Sequence, residues 1–378
     1  MCIRDRYAPN NFKVNFSDNG IINIPYVSMG ANYPDVSWQK TTMKNIGLDF
    51  YLLSDRISGS FDFFRNDITR LLGYASTSPL AIYETRPING GHYYRRGWEL
   101  MVDTKNLVGE FTWDTSLTFS KTNSFWKERL PNYDYQIYQQ RENEPMSAYY
   151  YYNVTGIINT DRSNMPESQK TLQAEAQLPG CPIIEDKNKD GKIDENDVYM
   201  KDNSPAIYVG IGNTFTYKRF EFSFFMYGQF GIQKYNIAYS AAQAGPLAVD
   251  YPENSNKFAY RLWNSQTNPN GSRPGLAIGK MGALPGNAWV NADRENASFM
   301  RMRNITLAYN LAGNILGSLQ RYVRNIKVYV DAQNPFILTK FQGFDPEIYT
   351  GGGGASGGPE VNILKPALSL SELILLFK

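Results

Sequence analysis

The chain has 378 residues and a formal net charge of +2, and 14% of it is aromatic, with Tyr 27, Phe 21, Trp 6 and 31 glycines. This mixture excludes a disordered chain and does not suit a helical one, and near-neutral charge gives no ground for a nucleic-acid partner. One histidine, His92, and two cysteines, Cys2 and Cys181, exclude a histidine-based metal cluster and a disulfide framework and leave no basis for a Ser-His-Asp triad.

No window of about 18 apolar residues exists, so a membrane role would have to use strands. Residues 1–6 carry no apolar h-region and read as a truncation or assembly scar. Residues 46–53 run into Ser54-Asp55 and then 56–65, where Ile57, Gly59, Phe61 and Phe63 share one face and Ser58, Ser60 and Asp62 the other. That spacing predicts a hairpin. Next, Phe111, Trp113, Thr115, Leu117 and Phe119 alternate with Thr112, Asp114, Ser116 and Thr118. Residues 208–217 and 220–227 form a second pair around Lys218-Arg219, and 307–309 and 326–332 continue the theme.

Runs of about 9–11 residues suit a tilted strand crossing a bilayer. A soluble sandwich shows the same alternation. Two details favour the barrel. Aromatics cluster at predicted strand ends (Tyr93-Tyr94, Tyr149-Tyr150-Tyr151-Tyr152, Phe224-Phe225), as interfacial girdles do. Long polar stretches, 121–147, 159–204 and 240–296, alternate with tight connections. The tyrosine run is read as such a girdle.

The sharpest motif is Asp186-Lys187-Asn188-Lys189-Asp190-Gly191-Lys192-Ile193-Asp194-Glu195-Asn196-Asp197. Counting from Asp186, oxygen side chains fall at positions one, three, five, nine and twelve, with glycine at six. This is the spacing that wraps hard oxygen ligands around Ca²⁺, position seven giving a carbonyl. The expected ligands are Asp186, Asn188, Asp190, Asp194 and Asp197 through side chains and Lys192 through its carbonyl, in a structural role. Position twelve is Asp rather than the usual Glu, and Pro182 and Pro205 flank the loop, so helices are not expected there. The competing reading is a solvated Asp/Asn/Lys turn. Residues 159–204 offer little evident hydrophobic anchoring, so a cation would be what orders them.

Other candidates are weaker. The glycine run 351–354 lacks a following Lys-Ser/Thr and reads as a flexible loop. His92 has no ligand partners at useful spacing, and Arg95-Arg96 and Arg301-Met302-Arg303 read as solvated arginines. No nucleophile stands with a base, so the chain is not expected to be an enzyme.

Several segments resemble, in order, the C-terminal half of SusC/RagA-type TonB-dependent outer-membrane transporters. They are Asn32-Tyr33-Pro34-Asp35-Val36-Ser37-Trp38-Gln39-Lys40-Thr41-Thr42 with Asn45-Ile46-Gly47-Leu48-Asp49; Asn89-Gly90-Gly91 with Arg96-Gly97-Trp98-Glu99-Leu100; and Glu144-Pro145-Met146-Ser147-Ala148-Tyr149-Tyr150 with Gly156-Ile157. The 186–197 loop with Pro205-Ala206-Ile207-Tyr208-Val209-Gly210, the strand from Ser298 to Tyr309, then Ala332-Gln333-Asn334-Pro335-Phe336 and Gly343-Phe344-Asp345-Pro346-Glu347 complete the series. Gln39 departs from the family's usual Glu, and the text beyond Gly358 does not resemble the family's closing strand.

The resemblance implies an all-β fold: an antiparallel up-and-down transmembrane β-barrel, here the C-terminal half of a roughly 22-stranded plugged barrel. Residues 7–347 would form barrel and outer loops, and 348–378 an atypical tail. It also implies a place in the cell outer membrane, in contact with its lipid, and import of oligosaccharides or peptides. The implied partners are a SusD-like surface lipoprotein and TonB, the latter acting through a plug region outside this chain. The alternative is a secreted calcium-binding β-sandwich adhesin or lectin-like module.

Overall fold

In the computed structural model the residues described are 36–76, 85–131, 135–139, 142–236, 261–275, 278, 281–282, 284–292, 294–311, 323–343 and 345–347, with backbone strands at 7–9, 15–16, 22–23, 26–28, 367–369 and 374–377. The expected scar at 1–6, the first motif residues Asn32 to Asp35, Phe344, the glycine run and most of the 348–378 tail lie outside the described residues. No α-helix occurs among the described residues.

Four short strands come first: β1 (Tyr7–Pro9), β2 (Asn15–Phe16), β3 (Ile22–Asn23) and β4 (Tyr26–Ser28). The wall follows with β5 (Lys40–Leu52), β6 (Ile57–Ser76), β7 (Thr85–Leu107) and β8 (Phe111–Glu128). A first insertion carries β9 (Ala148–Tyr152), β10 (Val154–Ile157), β11 (Pro182–Ile184) and β12 (Tyr199–Asp202). The wall resumes with β13 (Ile207–Tyr217) and β14 (Phe220–Phe230). A second insertion holds β15 (Gln233–Tyr235), β16 (Trp289–Val290) and β17 (Arg294–Asn296). Last come β18 (Phe299–Leu311), β19 (Val323–Thr339), β20 (Ala367–Ser369) and β21 (Ile374–Phe377).

The wall is one antiparallel sheet in the order β20-β19-β18-β14-β13-β8-β7-β6-β5, with β21 also on β19. Among the described residues it does not close on itself. The alternation read from the sequence sets its two faces. Trp113, Phe215, Phe222, Leu307 and Val330 stand opposite one another in register across five strands. Trp113 stacks on Phe215 at 5.7 Å, and Phe222 lies 6.0 Å beyond. With no second sheet packed on them among the described residues, Phe222, Leu307 and Val330 stay 39%, 51% and 43% exposed. The other face is polar: Lys327 pairs with Glu221 at 3.0 Å, and Thr306 donates to Asp331 at 2.6 Å. A shallow trough of about 380 Å³ lies by the first turn, lined by Ser58, Asp103, Asp114, Ser116, Thr214 and Asn304 among others.

Both predicted hairpins form. Leu53, Ser54 and Asp55 take φ of 54°, 54° and 63°, and Lys218 takes 55°. These turns need the left-handed region. The strands are longer than the expected span, however, with β6 at 20 residues, β7 at 23 and β8 at 18. At about 3.3 Å per residue, β7 is about 75 Å long and overshoots a ~30 Å hydrocarbon core even at steep tilt. Its polar and glycine-rich half, which shows no apolar alternation, forms strand because β6 holds it in register throughout and β8 joins from His92 onward.

The overshoot supports a folded loop module. The 159–204 stretch, expected to lack hydrophobic anchoring, is built around a core of Tyr138, Tyr152, Ile158, Leu172, Ala176, Cys181, Ile184, Ile193 and Val198. Met281, Leu284 and Ala288 of the second insertion complete it. The apolar residues are spaced irregularly along turns, which hid the core from periodicity. The tyrosine run is corrected likewise. β9 pairs with β12 and with β16 in a separate three-stranded sheet, and Tyr152 is fully buried in the module core rather than set in a girdle.

Candidate functional site

The acidic loop sits against this core. Asp and Asn side chains two residues before a backbone N–H close Asx turns, and the loop is made of them. Asn188 Oδ1 accepts from Asp190 N at 3.1 Å, Asp190 Oδ1 from Lys192 N at 2.9 Å, and Asp194 Oδ1 from Asn196 N at 2.8 Å. Asp186 Oδ2 reaches across to accept from Gly191 N at 2.9 Å. Gly191 takes φ +84°, the sharp turn for which glycine stands at position six.

Asp197 ties the two halves together. It is fully buried, and its Oδ1 accepts from Lys187 N at 2.9 Å and Asn188 N at 3.4 Å while Oδ2 accepts from Asp194 N at 2.9 Å. With Asp194 it makes a capping box on the short 3₁₀ turn Glu195–Asp197. Ile193 is buried in the core, and its N–H donates to Thr171 Oγ1 at 3.1 Å. Tyr152, fully buried, donates its hydroxyl toward the Asp194 and Pro285 carbonyls at 3.0 and 2.9 Å, so the loop is pinned to both insertions. Burial and the surrounding carboxylates Asp197, Glu195 and Asp194 push that phenol well above its ordinary range.

The structure thus gathers Asp186, Asn188 and Asp190 around Gly191, and joins Asp194 to Asp197 one turn away. Asp186 Oδ1 is buried without a hydrogen-bond partner. The donors are hard oxygens, the type that suits Ca²⁺. Among the described residues, no three His, Cys, Asp or Glu side chains stand close enough together to hold a metal ion. The Asp197 carboxylate, the twelfth position, is engaged by backbone amides instead.

Other sites escaped the sequence reading. Arg301, expected to be solvated, is 3% exposed. Its guanidinium pairs with Asp345 at 2.7 Å and with Glu347, to which Tyr227 donates at 2.6 Å. Both partners lie in the Gly343-Phe344-Asp345-Pro346-Glu347 motif, but nothing in one sequence links that motif to β18. Arg129 pairs with the buried Glu144 and lies over the rings of Trp126 and Tyr135. Arg294 lies 3.6 Å above Tyr149 and donates to the Gln233 carbonyl and Asn203.

No protein-family profile matches the chain. It is 25% identical over 327 residues to TonB-dependent receptor P3 of Formosa agariphila, covering 83% of this chain and 31% of that receptor. It is 27% identical over 326 residues to TonB-dependent receptor SusC of Bacteroides thetaiotaomicron, covering 84% of this chain and 30% of that one. The chain therefore spans about a third of these curated relatives. Among solved structures, the RagAB peptide importer in its closed-closed state superposes with a TM-score of 0.67 at 18% identity, over 91% of this chain and 36% of that one. A second RagAB structure gives 0.65. These likenesses bear out the resemblance to SusC/RagA-type TonB-dependent transporters, the antiparallel barrel-wall fold and the outer-membrane location.

Proposed function

We propose that this SusC/RagA-type chain forms the wall and outer loops of an active importer of oligosaccharides or peptides. In this reading a SusD-like lipoprotein closes over its mouth and TonB acts through a plug region outside the chain. The observation that carries the reading is the sheet's build. An apolar face, aromatic on three of its strands, runs across five strands, the opposite face is polar, tight turns mark one end and a folded module the other. The likeness to SusC and to RagAB, the latter described as a peptide importer, supports this reading of substrate and partner. The adhesin reading is disfavoured because a sandwich would cover Trp113, Phe222 and Leu307 with a second sheet. No nucleophile-base pair supports catalysis.

We further propose that Ca²⁺ stiffens the 186–197 loop, held by Asp186, Asn188, Asp190, Asp194 and Asp197 with the Lys192 carbonyl. The buried, unpartnered Asp186 Oδ1 supports this. Binding would require Asp197 to exchange backbone amides for the ion.

The importer is tested by deleting the full-length gene that carries this chain and following uptake of oligosaccharides and peptides. Loss of uptake of one class, matched by loss of TonB, is expected. Unchanged uptake of every substrate overturns the reading. For calcium, titration calorimetry on the lipid-folded full-length protein should show binding that Asp190→Ala abolishes. Absence of heat at millimolar Ca²⁺ would leave the loop a solvated turn.

A further inference from the structure

The apolar face of the wall changes character abruptly at one height. Residues directly opposite in an antiparallel pair share a face, so the register of β5 to β8 can be taken row by row. The row Leu48, Phe61, Leu100 and Phe119 is apolar throughout and lies on the face that carries Trp113. Ile46, Phe63 and Trp98 follow. The next row is Lys44, Arg65, Arg96 and Asn123, three cations side by side on neighbouring strands.

The height of that row is informative. Trp113 and Phe215 stack at the turn end of the face. From Trp113 to Asn123 β8 rises about 33 Å, which at a tilt of about 40° spans about 25 Å of the bilayer normal, the height of an outward apolar band. Short turns belong to the periplasmic side and long loops to the outside. The cationic row therefore stands at the outer-leaflet boundary, just below the folded module.

Like charges set directly opposite one another destabilise a sheet, and the protein answers only part of this. Arg65 holds Asp67 through two N–H groups, each at 3.1 Å. The Asp202 carboxylate nearby is taken by Asn123 Nδ2 at 2.9 Å, Ser147 Oγ at 2.6 Å and Ser204 N at 2.8 Å. Among the described residues no carboxylate pairs with Lys44, Arg96 or Lys121. Lys44 and Arg96 are exposed. Lys121 stands opposite Trp98, one row nearer the hydrocarbon, where a lysine lays its stem on apolar surface and lifts its ammonium to the boundary.

The guanidinium groups are also held in place. Arg65 lies 4.4 Å from the Tyr94 ring centroid and Arg96 5.1 Å from that of Phe125. Arg95, by contrast, faces the opposite side and donates to Ser124 Oγ at 3.3 Å. A preset, unneutralised guanidinium beside two ammonium groups suits a phosphate. The apolar rows directly below fix what carries that phosphate, because an anion at this height on this face sits above acyl chains.

We propose that Lys44, Arg96 and Lys121, with Arg65 adding its field, bind the phosphate of an anionic outer-leaflet lipid whose acyl chains lie on Phe61, Phe63 and Trp98. The inference rests on the outer-membrane location and not on what is transported.

The test is native mass spectrometry of the full-length receptor carrying this chain, in a non-ionic detergent, titrated with monophosphoryl lipid A or with phosphatidylcholine. Retention of the anionic lipid over the zwitterionic one is expected. Lys44→Gln with Arg96→Gln should weaken it at least about tenfold, the loss of one or more charge-assisted contacts. Arg96→Lys should fall between, and Arg95→Gln, on the other face, should leave retention unchanged. Millimolar inorganic phosphate should not displace the lipid. Heat-modifiable gel mobility checks that each variant is folded, and the single change Arg96→Gln at an exposed position carries the same test if the double variant is not. The proposal is overturned if phosphatidylcholine is retained equally, if the folded variants keep the anionic lipid, if Arg95→Gln weakens it as much, or if free phosphate displaces it. A receptor that instead retains a second copy of itself, released by the same substitutions, would make this face a protein interface and overturn the lipid assignment.

Discussion

Replacing Asp197 with Ala should open the acidic loop far more than any other single change in it. The side chain is fully buried, and its two oxygens accept from three backbone amides, two of them at 2.9 Å. An orphaned buried donor costs about 1–3 kcal/mol. The third bond, at 3.4 Å, is weak, and Asn188 is exposed, so the sum lies near the low end of the range. About 3 kcal/mol for the set is a reasonable magnitude, which is roughly a hundredfold in the local opening constant. Hydrogen exchange read by mass spectrometry on peptides covering 186–198, on lipid-folded full-length protein without calcium, should show that loss of protection. Asp197→Asn keeps the volume but turns a donor toward the amides, and should fall between wild type and Asp197→Ala. Protection within threefold of wild type in Asp197→Ala would refute the idea that this carboxylate holds the calcium-free loop together.

The remaining expectations are these. Burial pushes the Cys181 thiol up to about 11, so in a Cys2→Ser background maleimide at pH 8 should label it only after unfolding. Because the folded thiol holds its proton more tightly than the unfolded one, module stability is intact below about pH 9 and is lost as pH rises toward 11. Two units correspond to about 2–3 kcal/mol, and Cys181→Ala should flatten that part of an alkaline melting series. Arg301→Met strands Asp345 and Glu347, and at about 3–5 kcal/mol for a broken buried pair it should expose residues 340–347 to limited proteolysis; a wild-type digestion pattern would count against the network. Finally, among the described residues β5 has no strand on its outer edge, and Ile46 within it and Trp38 and Leu53 beside it are exposed at 78%, 80% and 70%. The isolated chain should aggregate without detergent, and a monodisperse, cooperatively melting monomer in plain buffer would contradict the membrane reading.

The wall was legible because its physics is local. Alternate residues of one strand face opposite sides, so Trp113, Phe215 and Phe222 announce a face before any partner is known. Turn chemistry at Ser54-Asp55 and Lys218-Arg219 was legible for the same reason. The 186–197 spacing was equally plain, but the spacing does not say which oxygens turn to amides. Asp197 does so because the buried carboxylate stands within hydrogen-bond reach of the Lys187, Asn188 and Asp194 N–H groups. What stayed hidden is non-local. Tyr152 reaches Pro285 across 133 positions, and Arg301 reaches Asp345 across 44. A run of four consecutive tyrosines cannot reveal that Tyr152 will be buried together with residues of a second insertion.

The two insertions leave and re-enter the wall between neighbouring strands. The first is bracketed by the pairing of Ser120 with Tyr208, the second by that of Gln229 with Phe299. Each is therefore a cassette whose ends meet, and evolution or an engineer can exchange it without re-registering the barrel. They are not independent cassettes, though, because Met281, Leu284 and Ala288 from the second fill the core of the first. Recombination between receptors of this kind should conserve them as a matched pair. A chimera that grafts residues 129–206 alone would leave both halves with a raw apolar surface, whereas one that moves 129–206 together with 231–298 carries the shared core intact onto a foreign wall.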